Sequence, residues 1–113
     1  MKKIILFVLF STSVFAQIQK IEPPFWWSGM NNPEVQIMFY GKNIAQNNIS
    51  VSNGVVIKNV QKTENPNYVF VTIDTHNVPA QELQFTFSQG GRAFTQAYSL
   101  KARKTQLKIS QQF

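Results

Sequence analysis

The chain has 113 residues, of which 13% are aromatic, and it carries a formal net charge of +6 at pH 7. A sequence of this length predicts one small domain. It contains no cysteine, which excludes a disulfide framework and a lipoprotein-type anchor. The domain must therefore be stabilised by an ordinary apolar core, which this aromatic content can supply.

The N-terminal segment has the three-part layout of a secretory signal peptide. A lysine pair is followed by an unbroken apolar run at residues 4–10, and Val14 and Ala16 give the small-residue pattern that precedes a cleavage site. The run is too short to span a bilayer, which takes roughly 20 apolar residues. An N-terminal anchor and a buried strand are the alternatives. We expect residues 1–16 to be removed and the mature domain to be exported to the periplasm, the outer-membrane surface or the medium.

Strand-type alternation of apolar and polar residues dominates the rest of the chain. Runs of this kind occupy residues 35–41, 68–74, 83–88 and 94–100, with a shorter run at 55–60. Residues 18–22 predict an edge strand that ends at the two following prolines, because proline cannot donate a hydrogen bond to a sheet. No segment of the mature chain shows helical spacing of apolar residues over three turns.

Turn signals separate these runs. Gly90 and Gly91 suit a tight hairpin with positive φ, and Asn53-Gly54 is a second strong turn signal. The segments N-N-P at 31–33 and N-P-N at 65–67 break the chain before strands. About seven short, turn-bounded strands predict an all-β fold, an immunoglobulin-like antiparallel β-sandwich, with a small barrel as the main alternative.

Patterns typical of catalysis or metal binding are sparse. Nothing in the sequence brings two carboxylates onto one face of one strand, so each acid is interpreted as a strand-end or turn residue rather than half of a glycosidase pair. The acids are Glu22, Glu34, Glu64, Asp74 and Glu82. His76 has only Asp74 beside it, whereas a metal site needs several converging ligands. We therefore expect a loop histidine, no catalytic residue, no metal site and no cofactor.

The basic residues are scattered except near the C-terminus. Lys101, Arg103, Lys104 and Lys108 cluster there. A solvated tail is favoured over a nucleic-acid surface, because an exported domain rarely meets nucleic acid. We expect no nucleic-acid partner, and we interpret residues 105–113 as a linker.

Three consecutive aromatic residues, Phe25, Trp26 and Trp27, give the strongest functional signal. In an extended chain Trp26 points away from the other two, so one side packs in the core and the other meets solvent, a ligand or a neighbouring domain. Sugars present C–H faces that stack on flat rings, and a tryptophan paired with Tyr40 would form such a platform. Core or domain-interface packing and direct sugar contact both stay open.

The stretch "IEPPFWWSGMNNPEVQIMFYGKNI" resembles a known family. It is similar to the start of the N-terminal domain of cyclomaltodextrinases and neopullulanases, members of the α-amylase superfamily in glycoside hydrolase family 13. The similarity lies in P-P-F-W-W at 23–27, G-M at 29–30, N-P-E at 32–34 and Y-G-K-N-I at 40–44. The later segments "PNYVFVTIDT" and "GGRAFTQAYSLKAR" look like that domain's closing strands. The resemblance spans essentially the whole mature chain from residue 17, and we place the domain itself at residues 17–104.

This resemblance implies an immunoglobulin-like domain placed before a (β/α)₈ catalytic barrel, and a part in the breakdown of starch, maltodextrin or cyclodextrin. The family's catalytic acids belong to the barrel, which takes about 250 residues, so none of them maps onto this sequence. The chain is then a fragment of a longer enzyme, or the product of a truncated gene whose domain survives alone.

We expect a non-catalytic accessory domain in which Phe25, Trp26 and Trp27 hold the first segment against its own sandwich and against the barrel, shaping the active-site rim. A homo-oligomer contact is also compatible with the resemblance. One alternative is a freestanding carbohydrate-binding module, with Trp26 and Tyr40 stacking on an α-glucan or cyclodextrin. Another is a periplasmic adhesion or assembly domain that uses an exposed strand edge.

Overall fold

A computed structural model describes residues 18–102, which form two four-stranded sheets packed face to face. The predicted β-sandwich is confirmed. Each sheet keeps two edge strands within the described residues, so the layers are not closed into a small barrel. The predicted signal peptide at residues 1–16 and the predicted linker at residues 105–113 lie outside this part of the chain.

Eight strands and one short 3-10 turn make up the described part. The strands are β1 (Lys20–Glu22), β2 (Trp26–Trp27), β3 (Glu34–Tyr40), β4 (Asn48–Val51), β5 (Val56–Lys62), β6 (Tyr68–Asp74), β7 (Gln81–Gln89) and β8 (Arg92–Lys101), and the turn is Ile44–Gln46. The first sheet has the order β1-β3-β6-β5 and the second β2-β8-β7-β4. Every pairing is antiparallel except that of β2 with β8.

The core follows from the period-2 alternation of the central strands. On β3 the buried residues are Val35, Ile37 and Phe39, while their neighbours on the strand face outward. The same alternation buries Phe85 and Phe87 on β7. The ring of Phe39 lies 5.3 Å from that of Phe85 and 5.2 Å from that of Phe87, centroid to centroid, and so joins the two sheets.

The predicted glycine turns are present. Gly90 and Gly91 have φ values of 54° and 85° and close the hairpin between β7 and β8. Asn53 and Gly54 have φ values of 62° and 72° in the turn between β4 and β5. These are the left-handed conformations that a tight turn of this kind requires, and glycine or asparagine adopts them at the least cost.

The chain crosses from the first sheet to the second between β1 and β2. As predicted, the edge strand β1 ends where Pro23 begins the crossing, and the Glu22–Pro23 peptide bond is cis. Beyond the prolines, β2 pairs in parallel with the end of β8, placing Trp26 beside Leu100 and Trp27 beside Lys101.

We call the end of the sandwich at which β8 finishes the exit end. The loops at residues 28–33 and 75–79 lie at this end. They are joined by Thr75, whose backbone N–H and hydroxyl both donate to the carbonyl oxygen of Pro33, at 2.8 and 2.7 Å. The hairpin at residues 90–91 lies at the opposite end of the strands. Within residues 18–102 no helix has the length and apolar character needed to cross a membrane.

Candidate functional site

One group of aromatic and basic side chains lies at the exit end. The rings of Phe25 and Trp27 meet edge to face, 5.2 Å apart at 81°, and the Lys101 Nζ lies 4.0 Å from the centroid of the Phe25 ring. We call these three residues the exit cluster. Both rings are half-buried, and Lys101 is exposed. The lysine position is that of a cation–π contact, in which the ammonium is attracted to the electron-rich ring face.

The Trp26 ring lies 5.5 Å from that of Trp27, tilted by 56°, so these adjacent side chains contact each other and do not point to opposite sides as extended alternation predicts. Trp26 packs against the core, and its neighbour across the parallel pairing is the buried Leu100. The indole Nε1 is buried and has no hydrogen-bond acceptor among the described residues. Trp26 therefore anchors β2 through its ring area, while Phe25 and Trp27 are not among the described residues that pack against the core cluster.

The exit cluster is held where β8 ends. The backbone N–H of Ser28 donates to the carbonyl oxygen of Lys101 at 2.9 Å, which extends the short parallel pairing by one bond. Gly29 follows with a φ of 77° and turns the chain into the loop at 28–33. A shallow pocket lies between this loop and the one at 75–79. The exit end thus combines two half-buried rings with an adjoining concave surface.

A second aromatic group lies on the outer face of the first sheet. Tyr40 and Tyr68 are direct partners across β3 and β6, and Met38 pairs with Phe70 one step further along. The two tyrosine rings lie 4.7 Å apart, tilted by 39°. All four side chains are half-buried. We call them the outer-face cluster.

Charged residues of β1 flank this cluster. Lys20 pairs with Tyr40 and Glu22 with Met38 across the sheet, and the Lys20 Nζ lies 3.5 Å from the Glu22 carboxylate. Together with Met38 and the tyrosines Tyr40 and Tyr68, these residues line a shallow groove.

The structure brings the predicted site residues together in two places. Phe25, Trp26 and Trp27 lie next to one another at β2 of the second sheet, Phe25 just before the strand, whereas Tyr40 lies on the first sheet with Tyr68 as its ring partner. The partner of Tyr40 missed by sequence reasoning is Tyr68, although its outward position in the alternating run at 68–74 was a usable signal. Sugar contact by any of these residues stays a prediction.

Two acids that looked unrelated in the sequence face each other across the first sheet. Glu34 on β3 is the direct partner of Asp74 on β6. Each has a local contact: the Glu34 carboxylate lies 3.9 Å from the Lys58 Nζ, and the Asp74 Oδ1 accepts from the backbone N–H of His76 at 2.9 Å. His76 is an exposed loop residue, as predicted. The described residues contain no group of three metal-binding side chains.

Tyr98 is the one tyrosine of the described chain that is buried in the core. Its hydroxyl donates to the carbonyl oxygen of Pro23 at 2.9 Å, and its ring meets Phe85 edge to face. Burial raises the pKa of the Tyr98 phenol well above its ordinary value, because the phenolate would lose its hydration. This residue is a structural anchor of the proline crossing.

A comparison with protein families gives a match over most of the chain. The family model described as "Cyclomaltodextrinase, N-terminal" matches residues 20–104. This chain belongs to the cyclomaltodextrinase N-terminal domain family. The resemblance of the opening stretch to that family is thereby confirmed. A cyclomaltodextrinase N-terminal domain is an accessory part of a glycoside hydrolase and is separate from its catalytic barrel.

The matched segment contains both aromatic clusters. Within this cyclomaltodextrinase N-terminal domain, the exit cluster lies close to the C-terminal side of the match, since Lys101 is three residues before its last position. The outer-face cluster lies on the other sheet, near the opposite end of the strands. The domain therefore presents two distinct surfaces, and each can be tested separately.

Proposed function

We propose that this chain is the non-catalytic N-terminal accessory domain of an exported hydrolase of starch, maltodextrin or cyclodextrin. In this proposal the exit cluster packs against the catalytic (β/α)₈ barrel and shapes the rim of its active site. The observation that carries the proposal is the position of Phe25, Trp27 and Lys101, which lie together at the point where β8 ends.

Chain connectivity supports a contact at this end. An N-terminal domain is joined to the following domain through its last strand, and here that strand is β8. Each residue of an extended linker spans at most about 3.5 Å, so a short linker after residue 104 keeps the next domain close to the exit end. The exit cluster is then among the first surfaces that a tethered barrel meets.

The chemistry of the cluster suits such a contact. Large aromatic side chains at the centre of an interface contribute much of its binding energy. Phe25 and Trp27 are half-buried and hold each other in an edge-to-face arrangement, so little side-chain freedom is lost on docking. Trp26 already packs against the domain's own core, so we assign it to folding rather than docking.

The alternative of assembly through a strand edge is less well supported. The β5 edge carries Lys58 and Lys62, and its register shifts between Ile57 and Asn59. Charged lysines and a bulge at an edge are features that prevent pairing with another strand. We therefore favour docking through the exit cluster.

The experiment compares two sets of variants in the hydrolase that carries this domain. Phe25→Ala/Trp27→Ala removes the exit-cluster rings, and Trp26→Phe is the matched control that keeps a ring in the core. We expect the double variant to separate the unfolding transition of this domain from that of the barrel in differential scanning calorimetry. We also expect it to change the ratio of kcat/KM for β-cyclodextrin to kcat/KM for maltoheptaose, while Trp26→Phe leaves both unchanged.

A double variant with the same calorimetric profile and the same substrate ratio as the parent enzyme contradicts docking through the exit cluster. The coding sequence after the Phe113 codon gives an independent test. An in-frame continuation with repeated βα units supports the proposal, and the lack of any amylase-type reading frame there argues against it.

A further inference from the structure

We infer that Asn53 is a site of deamidation that the fold protects, so that the modification marks chains in which the turn between β4 and β5 has opened. The reaction uses only the asparagine, the residue that follows it and water. The inference concerns the β4–β5 turn alone and does not depend on docking at the exit cluster.

The sequence at Asn53 is the one in which deamidation meets the least steric hindrance. The backbone nitrogen of the following residue must attack the asparagine side-chain carbon, and a side chain on that following residue obstructs the approach. The chain has five glycines, and only Gly54 follows an asparagine. Asn43 has a left-handed backbone like that of Asn53, with φ values of 55° and 62°, but it is followed by the branched Ile44. Asn53 is therefore the asparagine that we expect to react first when the chain is unfolded.

The reaction is a ring closure followed by hydrolysis. The Gly54 nitrogen gives up its proton to the solvent and forms a bond to Cγ of Asn53. The bond from Cγ to Nδ2 breaks, and the departing nitrogen takes a proton from the solvent and leaves as ammonia. Water then opens the resulting succinimide ring at either of its two carbonyl carbons. One opening gives aspartate, and the other gives isoaspartate, whose main chain runs through Cγ and is longer by one atom.

Two hydrogen bonds oppose ring closure in the folded chain. The backbone N–H of Val55 donates to the carbonyl oxygen of Ser52 at 3.3 Å, and Asn53 and Gly54 between them both have positive φ, which are features of a type I′ turn. The Asn53 Nδ2 donates to Oε1 of Gln81, the first residue of β7. Ring closure requires the Gly54 nitrogen and the Asn53 side chain to turn toward each other, so we expect both bonds to break first.

Both ends of this turn are fixed in the sandwich. The backbone N–H of Ser52 donates to the carbonyl oxygen of Gln84 at 3.0 Å, and the Ser52 hydroxyl oxygen accepts from the Gln84 N–H at 2.9 Å. Val55 at the other end is buried in the core. Because the turn carries the chain from the second sheet to the first, its opening also disturbs the core. The reaction rate in the folded chain is then the unfolded-chain rate multiplied by the fraction of molecules whose turn is open.

Isoaspartate should prevent the turn from closing as before. It adds one main-chain atom between Ser52 and Val55, whose positions are set by β7 and by the core. The hydrogen bond between these two residues and the burial of Val55 cannot both fit the longer segment. A chain that has been modified while open therefore refolds to a less stable state, and the modified fraction records the time spent open.

Mass spectrometry of the 113-residue chain, incubated in mildly alkaline buffer with and without guanidinium chloride, measures the reaction. Trypsin releases residues 43–58 as one peptide, which contains Asn53 and three reference residues, Asn43, Asn47 and Asn48. In denaturant we expect Asn53 to react before the reference residues. In the folded chain we expect Asn53 to react at least about tenfold more slowly, which corresponds to an opening free energy of about 1.4 kcal/mol.

Variants of Gln81 test the side-chain hydrogen bond. Gln81→Ala removes the acceptor and should raise the rate in the folded chain at least about threefold, while the rate in denaturant stays the same. Gln81→Glu keeps an accepting oxygen and should react like the parent. Gln89→Ala, at the other end of the same strand, is the matched control and should also react like the parent.

Three results would overturn the inference. The first is an equal rate at Asn53 with and without denaturant, and the second is an equal rate in folded Gln81→Ala and Gln89→Ala. The third concerns stability: the purified isoaspartate form should unfold at a lower urea concentration than Asn53→Asp, which carries the same new charge on a main chain of normal length. Equal midpoints for these two proteins would show that the added atom does not disturb the turn.

Discussion

The hydroxyl of Tyr98 donates a hydrogen bond to the carbonyl oxygen of Pro23, 2.9 Å away and 75 positions earlier in the chain. This bond ties β8 to the crossing that carries the first segment from one sheet to the other. Two residues after Tyr98 on β8, the parallel pairing of Leu100 with Trp26 holds the same segment to the same strand. The position of the exit cluster therefore depends on β8 as well as on its own aromatic residues.

Removing this hydroxyl tests the anchor. Tyr98→Phe keeps the buried ring and its contact with Phe85 but leaves the Pro23 carbonyl oxygen without this donor. We expect the free energy of unfolding to fall by about 1 kcal/mol, the usual contribution of such a hydrogen bond. Urea unfolding followed by circular dichroism measures this. Tyr68→Phe on the half-exposed outer face is the control and should stay within about 0.5 kcal/mol of the parent; an equal loss in both variants would contradict the anchor.

Alkaline pH should weaken the fold through the same residue. The pKa of Tyr98 is higher in the folded than in the unfolded chain, because burial disfavours the phenolate. Below the unfolded pKa of about 10 both states keep the proton and the stabilisation is complete. Above it the unfolded state loses the proton first, so the free energy of unfolding falls by about 1.4 kcal/mol per pH unit until the folded pKa is passed.

The free energy of unfolding is measured by urea unfolding at intervals between about pH 8 and about pH 11, because this range spans the ordinary tyrosine pKa of about 10. Tyr98→Phe is the matched control, because other titrating groups affect both proteins equally. Above about pH 10, where the unfolded tyrosine begins to lose its proton, the free energy of unfolding of the parent should fall more steeply than that of the variant. Parallel curves for the two proteins would show that Tyr98 is not the group responsible.

Much of the fold was predictable because the central strands alternate strictly. The runs at 35–41 and 68–74 place their apolar residues in the core as expected, and glycine at positions 90 and 91 marks the hairpin. The edges were less predictable. β5 runs on to Lys62, beyond the predicted run at 55–60, and the irregular register between Ile57 and Asn59 interrupts its alternation.

The two shortest strands on the second sheet were not predicted. β4 has four residues and β2 has two, too few to show a period. β2 is a strand only because β8 lies beside it. The extended conformation of β2 is therefore set by its pairing with β8 and not by the local strand preference of its sequence.

The candidate site was predictable in composition but not in arrangement. Trp26 packs against the core as one of the two predicted possibilities, but its ring also contacts that of Trp27 at 5.5 Å, so the expected separation of Trp26 from its aromatic neighbours is wrong. The pairing of Tyr40 with Tyr68 depends on the register of β3 with β6, and residues far apart in sequence carry no local signal of their register.

The hairpin between β7 and β8 gives a test of backbone conformation. Gly90 has a φ of 54°, and a Cβ added there would meet no atom within 4 Å. A side chain at position 90 therefore destabilises the fold because of the positive φ of the backbone and not because of a steric clash. Gly90→Ala should lower the free energy of unfolding by about 1 kcal/mol, and Gly90→Asn should lower it less, because asparagine adopts the left-handed region more easily. Equal losses in the two variants, measured by urea unfolding, would contradict this explanation.

The lysines of β5 should keep the sheet edge from pairing with other chains. Val56 is 56% exposed and Val60 is 37% exposed on this strand, so its protection depends on Lys58 and Lys62. Lys58→Thr/Lys62→Thr should convert monomer to oligomers in light scattering at high protein concentration. Lys42→Thr removes one charge at an exposed turn position away from this edge and is the control, which should not associate. If the double variant stays monomeric, the bulge alone protects the β5 edge from pairing with other chains.

Substitution of the two tryptophans should destabilise the domain to different extents. Trp26 packs against the core, so Trp26→Ala should lower the free energy of unfolding by about 3 kcal/mol. Trp26→Phe should lower it far less, because it retains a ring and removes an N–H that has no acceptor within the described residues. The Trp27 ring packs edge to face against that of Phe25, and Trp27→Ala should lower the free energy of unfolding by about 1 kcal/mol.

Fluorescence provides the decisive comparison, because each phenylalanine variant leaves one tryptophan of the pair. The Trp27→Phe protein reports on Trp26, whose buried indole nitrogen predicts emission at shorter wavelength. The Trp26→Phe protein reports on Trp27, which is half-buried and is not among the described residues packed against the core cluster, so it should emit at longer wavelength and be quenched more readily by iodide. If the two proteins emit alike and Trp27→Ala destabilises as much as Trp26→Ala, Trp27 is a core residue, and docking through the exit cluster loses its central side chain.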